Sequence, residues 1–301
     1  MPAELQAEAP GPGWFPVKVG LRGGCPFVRW LHLGETPPEA PFLRQEARAR
    51  VRAGAPAAIA LTSVAALLGV AEELRPCGLI FHISRCGSTL LANALRAFHG
   101  TTVISEPQPV SALLEAPDYL VGAVRAYGRR HSADSRRLVL KLTSGNVHWL
   151  PTFRRLWPDA PCLLLIRSPV EVMVSCLKGP PGWLRTAPPI AAREELCARG
   201  LAEYMTAGES GAGPGLRVMD YEQLDLAGVT AVAEFFGLGP GSADTSRLER
   251  ALCEYSKPQQ CAARFCPDSA SKRAAATPAV LAAAELWAQP VYKRLLAETC
   301  R

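Results

Sequence analysis

The sequence predicts an α/β protein of three layers, with helices covering both faces of a parallel central sheet. Two observations carry this. Short apolar runs of strand length, such as GLIFHI at 78–83 and PCLLLI at 161–166, are continuous rather than alternating, as strands buried on both faces are. Stretches with apolar residues at helical spacing lie between them. Alternation of this kind builds crossover units with parallel strands.

Residues 1–75 form a segment of their own, of unassigned role, and residues 76–301 the α/β domain. In the first, strands are expected at 15–19 and 27–33, then a break at the prolines between 37 and 41, then a strongly basic helix over 42–52. The Ala-rich run at 55–71 predicts a core or interface helix, being shorter than the roughly 20 residues of a membrane span. From Cys77 the pattern sharpens. A strand at 78–83 leads through SRCGST into a helix over 90–98. A second strand at 102–105 ends at Glu106-Pro107, with helical segments between 111 and 129. Strands at 138–142, 161–166 and 216–219 are followed by helices at 147–156, 170–177 and 230–236. A final helix over 277–297 opens with Thr277 as cap and Pro278 in its first turn, and Pro290 should kink it.

The formal charge of +6 suits an anionic ligand but is too modest to demand nucleic acid. The opening MPAELQAEAP lacks the basic-then-apolar order of a secretory signal, so a cytoplasmic location is expected, without a transmembrane segment. The ten cysteines are irregularly spaced, with no CxxC pair and no paired His ligands. They are expected as reduced thiols, and no metal site is expected.

A strand that runs through small residues into a helix makes an anion site, because loop amides converge and the helix dipole adds positive potential. Here Ser84, Arg85, Cys86, Gly87, Ser88 and Thr89 form that cradle. Gly87 permits close backbone approach, the hydroxyls of Ser88 and Thr89 can donate, and Arg85 can lean over the anion. The loop has neither the first Gly nor the Lys of GxxxxGK[ST], and Ala92 stands where a cysteine phosphatase loop starting at Cys86 needs Arg.

HISRCGSTLL resembles the 5′-phosphosulfate loop of sulfotransferases that use 3′-phosphoadenosine-5′-phosphosulfate (PAPS), usually PRSGTTLL. Arg85, Gly87, Ser88, Thr89 and Leu90 match, while His82 and Cys86 depart from it. A helix N-terminus can lower a thiol pKa, which would make Cys86 oxidation-sensitive. The resemblance implies a P-loop fold, a nucleotide co-substrate without a required metal, and an acceptor that the sequence leaves open. It is nearer to tyrosylprotein and bacterial sulfotransferases than to the cytosolic small-molecule type.

Arg167-Ser168-Pro169 with Ser175 resembles the family's 3′-phosphate site, R-[DS]-P-x-x-x-x-x-S. Arg at a strand end offers a planar fork to a phosphate, and Ser175 lies two helical turns on. RVMDYEQL resembles the family's xxYEDL segment and places Tyr221 near the nucleotide. Ser256-Lys257 and SASKR, with Lys272 and Arg273, are candidates for the loop closing over the 3′-phosphate, although the family's GxxGxxK is absent. The matches run from about residue 78 to 237.

For the transfer step, Lys141 inside the apolar LVLKL needs an anion to meet, and the sequence has only six lysines against 27 arginines. It resembles the Lys that tyrosylprotein-type enzymes hold near the leaving group, where Arg85 would assist. Glu106 resembles their general base, a role that calls for a pKa raised by partial burial. His82 and His99 are the alternatives, while His148, on a helix beside Trp149, is expected to be structural. Two other readings stay open: an ATP-dependent P-loop kinase, and a nucleotide-binding module without catalysis.

Overall fold

A computed structural model describes residues 5–36, 38, 40, 42–52, 58–187, 190–211, 213–253 and 268–299. The first sheet is antiparallel, in the order β1 (Trp14–Arg22), β2 (Cys25–His32), β3 (Ile59–Ser63). Gly23 and Gly24 both take positive φ between the closing pair Arg22 and Cys25, the conformation that a two-residue hairpin with right-handed strand twist requires. The basic helix α1 (Leu43–Arg52) follows β2.

The second sheet has five parallel strands in the order β5-β6-β4-β7-β8, comprising β4 (Pro76–His82), β5 (Thr101–Ser105), β6 (Arg137–Lys141), β7 (Cys162–Ile166) and β8 (Leu216–Asp220). Every residue of β5 and β7 is buried, and in β7 (CLLLI) this gives an apolar run without alternation. Each fully buried leucine there contributes about 1.5–3 kcal/mol. The crossovers carry α2 (Ser88–Leu95), α3 (Gln108–Ala112), α4 (Pro117–Tyr127), α5 (Leu150–Leu156), α6 (Pro169–Lys178), α7 (Gly182–Arg185) and α8 (Arg193–Ser210), and α9 (Leu226–Phe235) follows β8. After them come α10 (Thr245–Cys253), α11 (Ser269–Ala274), α12 (Pro278–Ala283) and α13 (Gln289–Thr299). Helix α2 packs with α9 and α10, whereas α6, α8 and α13 form a second group. This is the three-layer α/β/α architecture expected.

The first sheet meets the helices beside the second through side chains. Tyr127 donates to the Pro16 carbonyl at 2.6 Å, and Phe15 packs on His131 with ring centroids 4.4 Å apart. The Gln108 amide exchanges two hydrogen bonds with the backbone of Val19. The N-terminal segment is therefore fastened to α3 and α4, next to the strand ends.

The structure departs from, or adds to, the expectations at three places. The helix anticipated over 55–71 is instead β3 and a 3-10 turn, Val64–Gly69, because pairing with β2 outweighs the helix preference of alanine. The 18-residue α8 was not foreseen; its buried positions Cys197, Leu201, Tyr204 and Met205 have helical spacing diluted by Gly and charge. A π-helical turn, Ala284–Ala288, lies just ahead of Pro290, where a kink is expected. Thr277 does cap α12, accepting from the Val280 amide. No helix among the described residues is long and apolar enough to cross a membrane.

Candidate active site

Strand β4 lies at the centre, and the chain leaves it outward toward β5 before returning to build β7 and β8 on its other flank. Crevices at such a reversal, beyond the carboxyl ends of the strands, are where α/β sheets bind ligands. All five parallel strands bring a candidate there. The 84–89 loop follows β4, Glu106 follows β5, Lys141 ends β6, Arg167 follows β7 and Tyr221 follows β8.

In the loop, Ser84 (φ 75°) and Arg85 (φ 51°) adopt the left-handed conformation although neither is glycine, and Gly87 (φ 88°) caps α2. The left-handed conformation costs a non-glycine residue about 1–2 kcal/mol. Such strain concentrates at ligand-binding turns, where it brings amides toward a common centre. Ser84 and Ser88 are buried, while Arg85, Gly87 and Thr89 stay half-exposed, and Leu90 sits in the core as the anchor of the helix. Arg85 Nη2 donates to the Gly179 carbonyl at 2.6 Å. Cys86 is fully buried, and burial pushes its thiol up to about 12. The oxidation sensitivity expected from the helix terminus is thus opposed: the group stays a protonated, enclosed thiol.

Tyr221 joins the loop to Arg167. A Cβ on Gly87 would stand 2.7 Å from Tyr221 Cδ2, and the Arg167 guanidinium lies 3.8 Å from the Tyr221 ring centroid. Helix α6 connects the same two motifs along its length. It starts two residues after Arg167, carries Ser175, and ends at Gly179, whose amide donates to the Ser175 carbonyl and whose carbonyl holds Arg85.

The surroundings of Arg167 contain more carboxylate than the sequence suggested. Its Nε donates to Glu171 at 2.8 Å, and its Nη2 donates to Asp268 at 2.7 Å and to Ser269 at 3.2 Å. Lys272 pairs with Asp268 at 2.8 Å, and Arg273 with both Glu171 and Glu222 at 2.7 Å. Lys272 and Arg273 therefore do converge on Arg167, but on the helix α11 rather than a closing loop. Ser256 and Lys257 lie outside the described residues.

At the other flank, Lys141 Nζ meets Glu106 Oε1 at 2.5 Å, with the lysine side chain 1% exposed and the carboxylate 25% exposed. His82, also buried, accepts from the Ser84 amide at Nδ1 and turns Nε2 toward Glu106 Oε1 at 3.5 Å, too long for a good hydrogen bond. Burial lowers the pKa of this imidazole. The raised pKa expected for Glu106 is not found. Burial does push it up, but Lys141 and His82 outweigh burial and hold it at about 2. Glu106 itself sits at φ 49°, its amide donating to the Lys141 carbonyl.

Other expected residues lie elsewhere. His99 precedes β5 at the opposite edge of the sheet, its amide donating to Ser242. His148 stacks near Tyr204 and lies 3.7 Å from Glu203. Trp183, in the segment after α6, packs edge-on against Tyr204 and presses on Gly200 of α8. What the sequence did not disclose is Phe42, whose ring centroid lies 4.9 Å from Lys141 Nζ. Glu171 and Asp268 were missed as well; no short-range signal pairs Asp268 with a residue 101 positions away.

No family model matches the chain, and no curated protein matches it. Among solved structures it is similar to the crystal structure of a sulfotransferase from Alicyclobacillus acidocaldarius. That likeness has 17% identity and a TM-score of 0.46, over 76% of this chain and 97% of that one.

Proposed function

We propose that the protein transfers a sulfuryl group from PAPS to a hydroxyl or amine of an acceptor. The observation that carries this reading is the contact of Tyr221 with both Gly87 and Arg167, which links two anion-binding motifs that lie eighty residues apart in sequence. One motif suits the 5′-phosphosulfate and the other the 3′-phosphate, the feature that separates PAPS from ATP. On this reading Ser84, Arg85, Cys86, Gly87, Ser88, Thr89 and Leu90 build the 5′ cradle. Arg167, Ser175, Lys272 and Arg273 hold the 3′ end, and Tyr221 lies between.

The chemistry then divides among named groups. The acceptor oxygen bonds to sulfur as the bond from sulfur to the 5′-phosphate oxygen breaks, and adenosine 3′,5′-bisphosphate leaves. Loop amides, Arg85 and Lys141 stabilise the charge that develops on the leaving oxygen. Glu106 accepts the acceptor proton, but only after Lys141 turns from it toward the leaving group. Without that cation the burial of Glu106 raises its pKa, as a general base needs. The pair seen here is the resting state of that exchange.

Release of adenosine 3′,5′-bisphosphate from PAPS over a panel of phenols, amines, sugars and tyrosine peptides tests the activity. Glu106→Ala and Lys141→Ala are expected to lose turnover at least a hundredfold while still binding PAPS. If neither change slows turnover, the catalytic assignment is wrong.

A further inference from the structure

The network around Arg167 carries an inference that rests on the reading above and extends it. Three cations, Arg167, Lys272 and Arg273, face three carboxylates, Glu171, Asp268 and Glu222. A phosphate arriving at Arg167 therefore meets no surplus of positive charge. It meets a carboxylate already in place. Asp268 spans two of the cations, with Oδ1 2.7 Å from Arg167 Nη2 and Oδ2 2.8 Å from Lys272 Nζ. This is the bridging geometry a phosphate would adopt between the same two groups.

The two carboxylates that touch Arg167 differ in how firmly they are held. Glu171 is 1% exposed, lies in the first turn of α6 and accepts from Arg167, Ser269 and Arg273 together. Its removal from that position would strand a buried charge. Asp268 has a side chain 32% exposed and stands at the start of α11, a helix of six residues whose first turn it does not cap. A helix that short has little stability of its own, so moving its first residue is cheap.

We infer that Asp268 is an internal anion that occupies the 3′-phosphate position, and that the ligand's phosphomonoester must displace it. Exchange of a monovalent carboxylate for a phosphate dianion gains charge between the two cations, whereas a 3′-hydroxyl gains nothing. Asp268 is then an internal competitor for the 3′-phosphate: it lowers affinity for nucleotides that carry one and leaves affinity for those that lack one unchanged.

Calorimetric titration of wild type and Asp268→Asn with adenosine 3′,5′-bisphosphate and with 5′-AMP tests this. Asparagine keeps the shape and the helix-start preference of aspartate, and a thermal melt checks folding. Asp268→Asn is expected to bind the bisphosphate about tenfold tighter and 5′-AMP within twofold of wild type. Unchanged or weaker bisphosphate binding in the variant, with wild type still preferring the bisphosphate, would overturn the displacement idea and leave the nucleotide reading intact. A wild type that binds both nucleotides equally would overturn both.

Discussion

Tyr221 lies against Arg167, ring centroid 3.8 Å from the guanidinium carbon, at the carboxyl end of the strand next to β7. The stack fixes the guanidinium in one plane. A second contact, with Gly87, ties the ring to the 84–89 loop, so that loop and Arg167 are positioned by one aromatic side chain.

Gly87→Ala should therefore act on binding more than on folding. The new methyl would stand 2.7 Å from Tyr221 Cδ2, on a residue already at φ 88°. We expect a stability loss of about 1–2 kcal/mol, read by denaturant unfolding. Affinity for adenosine 3′,5′-bisphosphate should fall at least tenfold in titration. Full affinity in the variant would remove Tyr221 from its linking role.

Glu106→Gln leaves the Lys141 ammonium buried without a counter-charge, which should destabilise the protein by about 3 kcal/mol. Adding Lys141→Met should recover most of that loss, and a double-mutant cycle in urea measures it. The pH dependence has a definite sign. A carboxyl depressed from 4.5 to about 2 stabilises fully above pH 4.5 and loses that contribution as pH falls toward 2. Glu106→Gln should remove this part of the acid sensitivity.

His131, packed on Phe15, sets a milder acid limit on the fastening of the N-terminal sheet. Burial lowers its pKa from 6.5 to about 4, against a small opposing pull from Glu73. Between those values the unfolded chain binds more protons, so stability falls as pH drops from 6.5 to 4, by about 3 kcal/mol in all. His131→Gln should flatten that part of a melting-temperature profile.

Phe42 brings the N-terminal segment to the Lys141–Glu106 pair. Because its ring lies beside Lys141, Phe42→Ala should raise acceptor KM severalfold and leave bisphosphate affinity unchanged. An equal loss of nucleotide affinity would mean that the ring serves to place Lys141 instead.

The parallel sheet was legible because burial on both faces forces unbroken apolar strands, and the loop because SRCGST carries its chemistry in adjacent residues. Lys141 was legible from the oddity of a lysine inside LVLKL, and it met the anion it needed. Its partner's pKa was not legible, since that depends on the distance between two strand ends. The displaced reading of 55–71 has the same origin: β3 exists through its register with β2 (Leu31 beside Ile59), which no local pattern encodes. Asp268 and Phe42 reached the site through tertiary packing alone.

The central claim is that the crevice takes a nucleotide with a 3′-phosphate, and calorimetric titration with adenosine 3′,5′-bisphosphate, set beside ADP with and without magnesium, tests it most directly. Tight binding of the bisphosphate without magnesium, and weak binding of ADP in either condition, is the predicted result. Magnesium-dependent binding of ADP with no response to the bisphosphate would contradict it and favour an ATP-dependent kinase.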